Sequence, residues 1–121
     1  MFYNKTLLDE LGITIEDNMS LDDFVAISKE VYEKSGYRAN LYHYGLYMDM
    51  YARANDIQAT DKLGGDSAED YVPYFQTLED GIKEGWHISP SQAADTASVE
   101  EDPMVYGSSP ENMTWCTING S

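Results

Sequence analysis

Cysteine, basic residues and long apolar runs are all scarce in this sequence. The one cysteine, Cys116, excludes an internal disulfide and a thiolate metal cluster. Because it lies in an apolar run, we expect a buried, inert thiol. No stretch approaches the about 20 apolar residues that cross a bilayer, and Met1–Tyr3 leads straight into polar sequence, unlike a signal peptide. The chain is therefore expected to be either a cytosolic protein or an interior piece of a longer one.

The balance of charge excludes two classes of partner. The 7 basic residues face 22 acidic ones, which gives a formal net charge of −15. Such a charge repels the phosphates of nucleic acids and of anionic membranes, so neither is expected to bind. Solubility is the ordinary consequence of this acidity. With 121 residues, 42% of them apolar, the chain can form one domain with a real core.

The longest helical pattern runs from Asp66 to Trp86. Its spacing predicts one buried face, made of Tyr71, Phe75, Leu78 and Ile82 with Tyr74 beside them. Gly85 is a natural stop for this helix. Because Pro73 is tolerated only near a helix start, the cap is expected at Asp70, or at Asp66 with a kink at Pro73.

Shorter elements surround this helix. A helix is predicted at Lys5–Leu11, after the cap residue Asn4. A second helix runs from the cap residue Ser20 to the stop at Gly36, with Phe24, Ile27 and Val31 inward. Two more are predicted, at Gly45–Ala54 and in a short helical turn capped at Ser89–Ser91. Met1–Tyr3 and Met113–Ile118 are strand-like, and 37–44 is a loop or a short strand. The predicted fold class is mainly α with short terminal β strands. Residues 1–121 are expected to form a single domain. Because a lone strand at each terminus needs further strands to form a sheet, we interpret this domain as a lobe excised from a longer protein.

The order of these signals resembles a known family. Tyr3-Asn4-Lys5 before a short helix, Ser20-Leu21-Asp22-Asp23-Phe24 at a helix start, and Gly107–Trp115 leading into a strand are similar to the extracellular solute-binding proteins of carbohydrate ABC transporters. Leu21 stands where that family has tryptophan. The resemblance implies the helical part of one lobe, the second, of a two-lobed periplasmic-binding-protein-like α/β fold that closes on a sugar or oligosaccharide. It also implies an ABC transporter permease as partner, and an extracellular or periplasmic, membrane-anchored lipoprotein as the full-length protein.

Two segments are candidates for sugar binding. In maltose-binding-protein-like members of that family, the loop that corresponds to Tyr42-His43-Tyr44 supplies a carboxylate and an aromatic to the sugar. Here the acid is absent and His43 stands near its place. Aromatic faces suit the polarised C–H bonds of a pyranose. The alternative is that these are core tyrosines and a surface histidine.

The second candidate segment is the strand end around Trp115 and Asn119. The resemblance places it along the floor of the ligand cleft. The amide of Asn119 can donate and accept at once, which suits pairs of hydroxyls. Strand alternation places Trp115 and Asn119 on one face, so both point to the ligand or both point to the core.

Catalysis is not expected, and neither is a cofactor or a metal. Asp22 and Asp23 are explained by the dipole of a first helical turn. His43 and His87 lack the spacing of metal ligands, and the segment from Asp61 to Asp66 lacks the ligand spacing of a calcium-binding loop. A small acidic helical domain that binds a protein through surface tyrosines is the alternative function. The chain alone is expected to bind sugar very weakly or not at all, and to self-associate through the strands Met1–Tyr3 and Thr114–Ile118.

Overall fold

The architecture is mainly helical with one small sheet. A computed structural model describes residues 1–41, 51–57, 68–94 and 113–117. Within these ranges the elements are β1 (Phe2–Tyr3), α1 (Lys5–Leu11), α2 (Leu21–Ser35), β2 (Arg38–Asn40), helical residues 51–54 (α3), a 3-10 helix (Ala68–Tyr71) that leads into α4 (Val72–Glu84), α5 (Pro90–Ala94) and β3 (Thr114–Thr117). The predicted class, mainly α with short β strands, is confirmed.

The strand β3 is the centre of the sheet. The strand order is β1-β3-β2, with β1 antiparallel and β2 parallel to β3. All four residues of β3 are buried. One expectation therefore needs correction: β3 has neighbours on both sides rather than an open edge. Of the two alternatives for 37–44, the described part contains the short strand, β2, so the strands are not all terminal. The reason is that the two terminal strands pair with each other, as Phe2 lies opposite Thr117.

Local capping signals define the first two helices as predicted. The Asn4 side chain accepts a hydrogen bond from the Leu7 N–H at 3.1 Å, and α1 ends at Gly12 with φ 71°. Ser20 and Asp23 form a reciprocal capping box at the start of α2. The hydrogen bonds from Ser20 hold the pKa of the Asp23 carboxyl below its usual value. Helix α2 ends at Gly36, also left-handed.

The buried face of α4 differs from the predicted one. Tyr74 and Leu78 are buried, whereas Phe75 is 54% exposed and Ile82 is only partly buried. The buried stripe continues through Gly81, because the Trp86 ring folds back over that position. Phe75 is turned by about 100° from Tyr74 on the helix, and the two rings form a T-shaped pair, with 4.8 Å between centroids.

The start of α4 also differs. The cap position is Tyr71, which makes no side-chain capping hydrogen bond, and Pro73 lies in the first turn. Asp70 belongs to the preceding 3-10 helix and is not the cap. The 3-10 turn leads directly into α4, so Asp70 is not used as a cap. The other predicted cap, Asp66, lies outside the described residues. Gly85 ends the helix with φ 94°, as expected.

The contact between Gly81 and Trp86 gives a stability prediction. A Cβ at Gly81 would lie 2.8 Å from the Trp86 ring and 2.9 Å from the His87 Cβ. Alanine should gain roughly 0.5–1 kcal/mol of helix propensity, but overpacking should cost about 1–3 kcal/mol. We expect Gly81→Ala to lower the free energy of unfolding in urea. Gln76→Ala, at an exposed position of the same helix, is the control, and a stabilised Gly81→Ala protein would contradict the packing.

The open edge of β1 gives a prediction about association. Phe2 is 50% exposed and Tyr3 39% exposed on a strand that pairs, among the described residues, only with β3. Open edges with apolar side chains favour pairing with another copy. We expect concentration-dependent self-association in sedimentation velocity that Phe2→Lys reduces. Phe75→Lys changes an equally exposed ring away from the edge, and an equal reduction by both variants would show that β1 is not the contact.

Candidate functional site

Two strand ends meet at one end of the sheet. Because β2 and β3 are parallel, with Asn40 opposite Thr117, their carboxyl ends point the same way. The antiparallel strand β1 begins at this end, with Phe2 opposite Thr117. The segments that leave the sheet here are therefore the ones that lead to Tyr42–Tyr44 and to Asn119.

A cavity of about 310 Å³ includes residues from this end of the sheet. Its described lining is apolar at Met1, Ile15, Met19, Leu21, Phe24 and Leu41, and polar at Tyr3, Glu16, Asp17 and Ser20. We call this cavity the end groove. It combines an accessible aromatic ring with hydroxyl and carboxylate oxygens, which are the groups that hydrogen-bond to hydroxylated ligands.

A second cavity of about 520 Å³ adjoins the end groove. Both cavities are lined by Met19, Ser20 and Leu21. The second one is also lined by Tyr51, whereas the end groove is lined by Leu41. The described residues on either side of the segment 42–50 thus line adjoining cavities.

His87 lies beside this end of the sheet and was not among the predicted site residues. It is 1% exposed, and its Nε2 atom accepts a hydrogen bond from the Leu41 N–H at 3.0 Å. Its Nδ1 atom lies 2.8 Å from the Ile88 carbonyl oxygen. Since Nε2 accepts, the proton is on Nδ1, which donates to Ile88. His87 also forms a parallel bridge to Ala39 of β2.

Burial lowers the pKa of the His87 imidazole from 6.5 to about 4, and the hydrogen bond to Ile88 opposes the shift. The ring is therefore neutral at ordinary pH, the form in which it can accept from Leu41. The sequence does indicate that the His87 side chain is buried, because the residue stands between the apolar residues Trp86 and Ile88. The partner at Leu41, 46 residues away, has no local signal.

The predicted site residues fall into two groups. Tyr42, His43, Tyr44 and Asn119 lie outside the described residues, and their role stays a prediction. Trp115 is 0% exposed and stacks on Phe24, with 5.4 Å between ring centroids and 30° between planes. Phe24 lines the end groove, so Trp115 lies one layer beneath it. This placement is the core alternative that the strand pattern left open, and stacking of Trp115 on a ligand stays a prediction.

Three of the described tyrosines lie in the core. Tyr51, Tyr71 and Tyr74 are each less than a tenth exposed. The Tyr51 ring lies 5.9 Å from Tyr71 and 5.6 Å from Tyr74 between centroids. The Tyr51 hydroxyl donates to the Asp70 carbonyl at 3.0 Å, and burial raises its pKa. A protein-binding surface built on these three tyrosines is therefore not available.

Other candidate chemistry is accounted for by the fold. Within the described ranges, no three His, Cys, Asp or Glu side chains are close enough to hold a metal ion. Asp23 is used in the capping box. The Cys116 thiol is buried in the centre of the sheet, and burial raises its pKa to about 12, as expected for an inert thiol. None of the described helices has the length and apolar character to cross a membrane.

Comparison of the chain with protein-family models, with curated proteins and with solved structures gives no match.

The buried imidazole gives a prediction of pH dependence. Above pH 6.5 His87 is neutral in the folded and unfolded states, so it adds no pH dependence. As the pH falls from 6.5 towards about 4, the unfolded chain takes up a proton that the folded chain refuses. The free energy of unfolding should then fall by up to about 1.4 kcal/mol per pH unit from this group and level off below its folded pKa. Urea unfolding at several pH values measures this slope.

Two histidine variants isolate the effect. His87→Gln should lose the His87 contribution between pH 6.5 and 4, whereas His43→Gln keeps His87 and should retain it. The same slope in His87→Gln and in the parent chain would show that the ring is not buried and neutral.

Proposed function

We propose that this chain is the sugar-binding lobe of an extracellular solute-binding protein that serves a carbohydrate ABC transporter. The observation that supports the proposal best is the parallel register of β2 and β3, with Asn40 opposite Thr117. Both strand ends therefore lie at one end of the sheet, and the segments with predicted sugar-binding residues follow these strand ends in the chain. In open α/β sheets, ligands bind outside the carboxyl ends of the strands.

The lining of the end groove suits a neutral sugar. The Tyr3 ring is 39% exposed and offers a face to C–H bonds. The charged side chains among the described lining residues are the carboxylates Glu16 and Asp17, which accept hydrogen bonds from hydroxyls. With a net charge of −15 on the chain, anionic sugars are repelled. The proposed ligand class is therefore neutral mono- or oligosaccharides.

Binding in this proposal involves no covalent chemistry. The ligand is held between this lobe and a second one, and the loaded receptor delivers it to the permease. The full-length protein is extracellular or periplasmic and membrane-anchored. Trp115 contributes by supporting Phe24 from beneath, since the two rings are stacked. Tyr42–Tyr44 supply the remaining contacts in this proposal.

A titration of the ¹⁵N-labelled chain tests the proposal. Neutral sugars should shift the amide signals of Tyr3, Met19 and Leu41, which line the end groove, and leave those of α4 unchanged. One lobe offers only part of the contact area while the cost of immobilising the ligand remains, so we expect a Kd on the order of 1 mM or weaker. Glucuronate, an anionic sugar, should shift the groove signals less than glucose.

A pair of aromatic variants provides the control. Tyr3→Ala removes the exposed ring of the groove and should abolish the sugar-induced shifts. Phe75→Ala removes a ring that is 54% exposed but outside the lining of the groove, and should preserve them. The proposal fails if no sugar shifts the groove signals. Micromolar binding by the chain alone would mean that the site is complete in one lobe.

A further inference from the structure

We propose that the second cavity, between α2, α3 and α4, binds a small organic cation, which is an ammonium group on an apolar body. The site is distinct from the end groove. The proposal therefore does not depend on whether the end groove binds a sugar.

The walls of the second cavity are largely apolar. The apolar part of its described lining consists of Met19, Leu21 and Val25 at or near the start of α2, Ala54 in α3 and Pro73 at the start of α4. Its volume of about 520 Å³ lies in the usual range of small-molecule sites, which combine apolar walls with a few polar groups. The apolar part of a ligand can therefore be held between the three helices.

The hydroxyl groups of the lining present lone pairs, because each has its single proton committed elsewhere. The Tyr51 and Thr77 hydroxyls donate to backbone carbonyl oxygens at 3.0 and 2.9 Å. The Ser20 hydroxyl donates to the Asp23 carboxylate at 2.7 Å. The Asn55 amide uses one of its two protons on a backbone carbonyl and keeps its oxygen as an acceptor. Acceptors therefore predominate among the polar side chains of the described lining.

The charge at the second cavity is negative. Asp22 is the one charged side chain of the described lining, and it is exposed. It forms no ion pair with a described residue. The start of α2 carries a positive dipole end of about half an elementary charge, which the carboxylates of Asp22 and Asp23 together outweigh. The net charge of −15 on the chain adds to the attraction for cations.

An ammonium group matches these features best. It donates three hydrogen bonds and accepts none, which complements a lining of acceptors with a carboxylate at Asp22. A neutral hydroxyl must share its bonding between donor and acceptor roles and gains nothing from the charge. A carboxylate is repelled. The order of affinity expected for one apolar body is therefore ammonium, then hydroxyl, then carboxylate.

Three probes with the same phenethyl body test this order on the full 121-residue chain. Phenethylamine should cause saturable shifts in the amide signals of Val25, Asn55 and Thr77, which line the second cavity and not the end groove. Phenethyl alcohol should bind about threefold more weakly or worse, and hydrocinnamate more weakly still. Equal affinity for the three probes, or no shift of these signals by phenethylamine, would overturn the proposal.

A pair of charge-removing variants locates the cation. Asp22→Asn keeps the shape of the side chain and should weaken phenethylamine binding about two- to fivefold, the effect of one exposed charge pair. It should leave the affinity for phenethyl alcohol unchanged. Glu33→Gln removes the same charge from an exposed position of α2 that lines neither cavity, and should preserve phenethylamine binding. An equal loss in both variants would show that only the overall charge acts, and would overturn the assignment of Asp22.

Discussion

The burial of β3 between two strands is the constraint on which the rest of the described fold depends. In β3, the Trp115 carbonyl oxygen accepts a hydrogen bond from the Asn4 N–H at 2.8 Å and thereby positions Asn4, the cap residue of α1. The Trp115 side chain stacks on Phe24 and holds α2. Each of these contacts joins residues more than 90 positions apart in the chain. Closing such loops costs conformational entropy, so complete burial of the strand on both faces is what offsets that cost.

The same strand connects stability to the candidate site. Because β2 runs parallel to β3, the sheet has one end where both strands finish, and the end groove lies beside it. Phe24 serves the core on one side, against Trp115, and the groove on the other. His87 extends this connection to α4, since it bridges to Ala39 and holds Leu41. Mutations in the core near Phe24 or His87 are therefore expected to act on the groove as well as on stability.

Sequence reasoning succeeded where the physical cause is local. The caps at Asn4 and Ser20 and the left-handed stops at Gly12, Gly36 and Gly85 each depend on residues within one helical turn. It was wrong about the face of α4 and about the open edge of β3, because the Trp86 ring and the partner strands arrive from elsewhere in the chain. For the candidate site, the strand ends were predictable from the pattern, but the pairing of His87 with Leu41 was not.

Under the proposed function, the charge of this protein acts on the ligand more than on the fold. The four ion pairs between described residues, Lys5–Asp9, Lys29–Glu84, Lys34–Glu30 and Lys83–Glu79, are all largely exposed to solvent. Exposed pairs contribute little, about 0–1 kcal/mol each. They also leave most of the 22 acidic residues uncompensated. That excess does not hold the fold together, but its field reaches a ligand that approaches the end groove, where Glu16 and Asp17 lie. Packing around β3 therefore forms the walls of the groove, and the acidic surface is the reason for proposing a neutral rather than an anionic ligand.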